Sequence, residues 1–238
     1  MMKKIQTKLA SSRTYLDKIL ILTIAVFIAV GVSVNIQKQY SIDRSKIPSK
    51  LEANGKFQRW LTNIKNKNIP LEADNLRFIE DSNIFNTIWT STMSIDDETN
   101  KKFFDENITA LSKFEESEFS PNEREVVNYT DGVRFGYNPN EVFFYGLRED
   151  KVLQTRIVKC ELEANCYFHR AGFLDNHVFF ISEVSLHDFD KDNPITCQPS
   201  ETCRYSFRVH LIDLNNNSII TYRSDPFEST LDYLKKEL

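Results

Sequence analysis

Positions 19–36 read ILILTIAVFIAVGVSVNI, an unbroken run without a charged side chain. As a helix rising about 1.5 Å per residue it covers about 27 Å, close to the roughly 30 Å of a bilayer's hydrocarbon. Lys18 and Lys38 flank it and can snorkel to the headgroups. Thr23, Ser33 and Asn35 can bond within the helix or at its ends. A buried core helix would be shorter and carry a polar face. A cleaved signal peptide competes: Lys3, Lys4, Lys8 and Arg13 resemble a basic leader, and Ala29-Val30-Gly31 resembles a cleavage site. The run exceeds the ~7–15 residues usual for such a peptide, so the reading is an uncleaved anchor.

Beyond the run the periodicity changes. Residues 37–47 are polar and read as a tether. Ser49-Lys50-Leu51-Glu52 reads as a capping box. The helix it opens carries Phe57, Trp60, Leu61 and Ile64 on one stripe, and Pro70 bars its continuation. The stripe is expected to pack on the domain C-terminal to it. Residues 76–93, rich in β-branched and aromatic types, read as strand. Residues 96–116 turn helical, with Phe104, Ile108 and Leu111 on one face and Ser94 or Asp96 as cap. The charged residues 115–125 read as a solvated loop.

Residues 126–222 alternate between strand and turn and contain an echo. Asn-Glu-Val-Phe-Phe-Tyr at 140–145 resembles Asn-His-Val-Phe-Phe-Ile at 176–181, and 157–168 resembles 209–220. The physical reading is a repeated three-strand meander. Asp225-Pro226-Phe227-Glu228 then predicts a helix start, with Phe227, Leu231 and Leu234 as its apolar face and Lys235 and Lys236 near its end. The fold class expected is α+β: a single transmembrane helix, then a mainly antiparallel sheet domain of repeated hairpins, sandwich- or propeller-blade-like, with a few flanking helices. The domains are 1–18 (cytoplasmic), 19–36 (span), 37–70 (tether and amphipathic helix) and 71–238 (extracytoplasmic β-rich domain).

Charge sharpens this division. Residues 1–50 hold nine Lys/Arg and two Asp, a balance of +7, while residues 51–238 hold 21 Lys/Arg and 32 Asp/Glu, a balance of −11. An acidic folded part excludes nucleic acid as a partner, because phosphate backbones need a basic surface. Basic residues lie on both sides of the run, so the flanks orient it weakly.

The four cysteines do more. Cys160 and Cys166, and Cys197 and Cys203, are spaced for two local disulfides across hairpin turns. Each such short loop would contribute about 2 kcal/mol. A Cys₄ zinc site would prefer closer pairs, and free buried thiols are the other alternative. Disulfides form in oxidising compartments, which favours a cytoplasmic N-terminus and an exported C-terminal part.

Asp188, Asp190 and Asp192 alternate as calcium ligands do, but Asn193 stands where a calcium loop wants Gly, and Pro199 where it wants an acid. His169, His177, His187 and His210 form no H-E-x-x-H, and nucleophile-elbow and phosphate-loop motifs are absent. Catalytic residues stay unassigned, and no cofactor is expected. Asn107, Asn128 and Asn216 head glycosylation sequons, and the terminal Lys-Lys-Glu-Leu resembles a lumenal-retention tail, which keeps a eukaryotic lumen as the minority location. The expectation is a single-pass cell-membrane protein whose exported domain binds or assembles with an envelope partner, the bilayer holding residues 19–36. Residues 129–145 and the loop 188–203 are its candidate contact surfaces. The alternatives are an anchored hydrolase using His and Asp of the β domain, and a calcium-stabilised adhesion module.

Overall fold

The computed structural model describes residues 23–24, 45–84, 90–129, 141–160, 164–190, 192 and 197–238. The chain divides into a unit of residues 1–44 and a unit of residues 45–238. Of the first unit only Thr23 and Ile24 are described, both helical. The rest of the expected span lies outside the described residues. Among the described residues no helix is long and apolar enough to cross a membrane.

The second unit is a β-rich antiparallel domain with few helices. Its elements are α1 (Ser49–Glu52), α2 (Gly55–Asn66), β1 (Arg77–Asn83), β2 (Thr90–Ser94), α3 (Glu98–Leu111), β3 (Ser117–Phe119), β4 (Glu125–Asn128), β5 (Glu141–Arg148), β6 (Lys151–Lys159), β7 (Tyr167–Asp175), β8 (Val178–Leu186), β9 (Cys203–Asp213), β10 (Ser218–Arg223), β11 (Phe227–Ser229) and α4 (Leu231–Glu237). One sheet runs β1-β10-β9-β8-β7, with β11 also on β9; the other runs β2-β6-β5-β4-β3.

The two sheets share a core. Val127, Val142, Phe144, Leu153 and Ile157 of the five-stranded sheet meet Phe168, Phe179, Ile181, Ile212 and Ile219 of the six-stranded one. Phe144 and Phe179 stack across it at 6.2 Å between centroids. Strand alternation sends the intervening residues outward, onto helices. Phe57 and Trp60 of α2 meet Phe180 and Phe207 edge-on at 5.3 and 5.7 Å. Phe104 of α3 stacks on Tyr145 at 5.5 Å. The layers are therefore helix, sheet, sheet, helix. Burying each large apolar side chain of the α2 stripe contributes about 1.5–3 kcal/mol.

Local chemistry sets the helix boundaries. The expected capping box does not form: α1 ends after one turn, and its start has no side-chain cap. Asn54 opens α2 instead. Its Oδ1 accepts from the Lys56 and Phe57 N–H groups, and its Nδ2 donates to the Phe173 carbonyl of β7 at 3.2 Å. One side chain thus caps the helix and pins it to the sheet. Asp97, rather than the expected Ser94 or Asp96, caps α3 by accepting from Thr99 and Asn100.

Several expectations are corrected. Residues 76–93 contribute two strands to different sheets, β1 and β2. Helix α4 starts at Leu231 with Thr230 as cap, not at 225. Phe227–Ser229 pairs with Tyr205–Cys203 of β9 as a strand, and the Phe227 ring stacks on Phe207 at 5.2 Å. The open edge of β9 and a core site for Phe227 outweigh the local helix signal. The echo does not carry into the fold either. Residues 209–220 form the β9–β10 hairpin, but β6 and β7, which flank the other copy, belong to different sheets. Moreover Phe143, which aligns with Phe179, packs towards α3 while Phe179 faces the shared core. Opposite facing at matched positions means no repeated unit.

Candidate functional site at the turn end of the sandwich

Four turns converge where β3–β4, β5–β6, β7–β8 and β9–β10 reverse. Backbone and side chains lace them together. The Asn122 N–H donates to Asn176 Oδ1 at 3.1 Å, and Leu214 N–H donates to the His177 carbonyl at 2.9 Å. The Arg148 guanidinium donates to the Leu214 carbonyl at 2.9 Å and to Asn215 Oδ1 at 3.0 Å. A cleft of about 630 Å³ opens among them, with Thr92, Arg124, Arg148, Glu149, Lys151 and His177 in its walls.

Behind His177 lies a wholly buried acid. Glu125 begins β4 and faces the inter-sheet space, and its Oε1 sits 2.6 Å from His177 Nδ1. The contact joins the two sheets. Gly146 stands opposite Glu125 in β5, and a Cβ there would lie 2.8 Å from Glu125 Cγ. The missing side chain makes room for the carboxylate. Burial raises the Glu125 carboxyl above its ordinary range, an effect that His177 and then Arg148 oppose. Among the described residues its second oxygen, Oε2, has no partner. Sequence reasoning put Glu125 in a solvated loop. Only the alternation with Val127, a core residue, hinted otherwise.

Backbone strain gathers here as well. Glu123 and Glu149 hold φ of 57° and 54°. This left-handed region suits Gly or Asn and costs a glutamate about 1 kcal/mol or more. Such outliers cluster where a surface must be held in a set shape.

The other histidines are dispersed. The Trp60 indole N–H donates to His169 Nδ1 at 2.9 Å, so Nδ1 is an acceptor and Nε2 carries the proton towards the Leu238 carbonyl at 2.8 Å. Burial lowers His169 to about 4. That ring is a neutral tie between α2, β7 and the end of α4. His210 lies on the inner face of β9, its Nε2 3.0 Å from Glu183 and its Nδ1 3.1 Å from Thr221 Oγ1. Arg208 reaches the other Glu183 oxygen at 3.3 Å. Burial alone would raise the Glu183 carboxyl, but the hydrogen bond and charge of His210, then Arg208, hold it below its usual range. His187, at the far end of β8, is lowered by burial and then by Arg223. Among the described residues no two histidines share a carboxylate.

The sequence-predicted residues separate. Cys160 pairs with Cys166 and Cys197 with Cys203, at Cα separations of 6.0 and 6.5 Å. The pairing is as expected but the setting is not. The first bridge closes the crossover from one sheet to the other, and the second ties the loop before β9 to that strand's first residue. Cys197, Glu201 and Cys203 lie close enough together to suggest a metal, but bridged sulfurs offer no thiolate. Asp188 pairs with Arg204 at 3.0 Å, and Asp190 accepts from the Asp192 N–H. Among the described residues their carboxylates are not drawn together. Of the aromatic segment 129–145, residues 130–140 lie outside the described residues; Tyr129 and Val142, Phe143, Phe144 and Tyr145 are buried core, not surface. Comparison with known proteins adds no relative: no family model, curated protein or solved structure matches the chain.

Proposed function

We propose that this protein is a single-pass membrane protein whose exported sandwich is a binding module of the cell envelope, with the turn-end cleft as its receiving surface. Residues 19–36 would lie in the bilayer, residues 1–18 in the cytoplasm and the β-rich domain outside. The observation that carries the reading is the state of the cysteines: all four stand in local pairs, a chemistry that persists in oxidising compartments. The laced turns support binding, since recognition surfaces favour loops held by a rigid scaffold. Protease protection of a doubly tagged chain in intact cells tests the topology. A protected N-terminal tag and a cleaved C-terminal one are expected, and the reverse pattern overturns the reading.

A second reading, hydrolysis, has one observation in its favour. A buried carboxylate behind an imidazole at a cleft is how a general base is oriented. It requires ester turnover that His177→Ala abolishes, whereas the binding reading requires none.

A further inference from the structure

We propose that the turn-end cleft binds a phosphate-bearing ligand, with Arg124, Lys151 and His177 as its three contacts. The proposal rests on the binding-module reading but is tested without reference to topology.

Size comes first. A cleft of about 630 Å³ falls among small-molecule sites, which span roughly 300–1,000 Å³. Charge is the second indication. The segment 51–238 carries a balance of −11, yet the cleft walls gather the cations Arg124, Arg148 and Lys151, with the His177 ring, against Glu149 in the wall and Glu125 behind the ring. Cations gathered along one cleft raise the local positive potential and draw in an anionic ligand.

These cations are not equivalent. Arg148 is spent on the Leu214 carbonyl and Asn215, so it builds the wall. Arg124 and Lys151 are exposed and have no carboxylate partner among the described residues. His177 is held at Nδ1 by Glu125, while no described residue engages its Nε2. Two cations without a carboxylate partner among the described residues and the His177 ring thus line the same cleft.

Glu125 supplies an independent sign. It is 0% exposed, and among the described residues half of its carboxylate has no partner. A merely structural tie would not need a buried, half-satisfied acid, which is costly. The cost is accounted for if Glu125 fixes the ring of His177 towards a ligand. Glu125 is then a positioning residue, since it touches no ligand.

The ligand chemistry comes from the donors. An arginine fork, an ammonium and an imidazole match a tetrahedral dianion that accepts on several oxygens. A single carboxylate would leave one of the cations unmatched. A soluble phosphate monoester and a lipid headgroup that ends in a phosphate monoester, as in phosphatidic acid, share this chemistry.

The test titrates inorganic pyrophosphate into the full chain held in phosphatidylcholine nanodiscs. Saturable binding is expected at millimolar concentration or below. Arg124→Ala with Lys151→Ala should weaken it at least about tenfold, and Glu125→Gln should weaken it less than His177→Ala does. Both cations are exposed, so the double variant is expected to keep the parent's melting temperature; Lys151→Glu alone serves as a second variant. Discs that also contain phosphatidic acid, whose headgroup is a phosphate monoester, separate the sources. Lost pyrophosphate binding there assigns a lipid headgroup, and unchanged binding assigns a soluble phosphate ester. Absence of binding, or equal binding by the parent and both variants, overturns the proposal and leaves the topology reading standing.

Discussion

Glu125 and His177 meet at 2.6 Å across the gap between the two sheets, 52 residues apart in sequence. The contact exists because Gly146 leaves the space that the Glu125 side chain occupies. Gly146→Ala should therefore force the carboxylate or the Phe144 ring aside. An overpacked core site costs about 1–3 kcal/mol. Urea denaturation of the variant should show that loss with an unchanged m-value.

Glu149 predicts the opposite sign. It is the first residue of the two-residue β5–β6 turn and holds φ of 54°. Gly adopts this conformation without strain, and hairpins of this kind favour it. Glu149→Gly should raise stability by about 1 kcal/mol, measured by the shift in denaturation midpoint. A loss of similar size would show that the Glu149 side chain holds the turn.

The buried Glu183 network should behave as a unit. Glu183→Ala strands His210 and Arg208 without their acceptor, and breaking a buried pair costs about 3–5 kcal/mol. Replacing both Glu183 and His210 with Leu should cost less than the single change. A double-mutant cycle with no coupling would contradict the network.

How much of this was legible in the sequence depended on how far apart the partners lie. The α2 stripe was plain because Phe57, Trp60, Leu61 and Ile64 repeat with the helix period, and all four are buried. The cysteine pairs were plain because their spacing is local. The sheet assignment was not. Strand-like residues at 76–93 look the same whichever sheet receives them, and the echo of Phe143 with Phe179 conceals opposite facings. The cleft was the least visible part. Arg124, Lys151 and His177 lie on separate turns, and Glu125 differs from its charged neighbours only through a partner on another sheet. No local pattern encodes a site assembled from four turns.

Acid should expose the role of His169. Its ordinary value is 6.5, and burial holds it at about 4 in the folded chain. Below pH 6.5 the unfolded chain takes up a proton that the folded chain does not. Stability from this group is therefore full above pH 6.5 and falls as the pH drops towards about 4, by about 3 kcal/mol in all. His169→Gln should flatten that part of the stability curve. Equal slopes in parent and variant between those values would contradict the buried, neutral ring.

A domain that works outside the membrane, in an oxidising compartment, keeps its cysteines bridged and on the outer side of the bilayer. Labelling intact cells with an impermeant thiol reagent, before and after an impermeant reductant, measures both properties at once. No labelling is expected at Cys160, Cys166, Cys197 and Cys203 without reductant, and labelling at Cys203, the partly exposed member of its pair, after it. Labelling before reduction would contradict the bridges, and no labelling after reduction in intact cells, with full labelling after lysis, would contradict export.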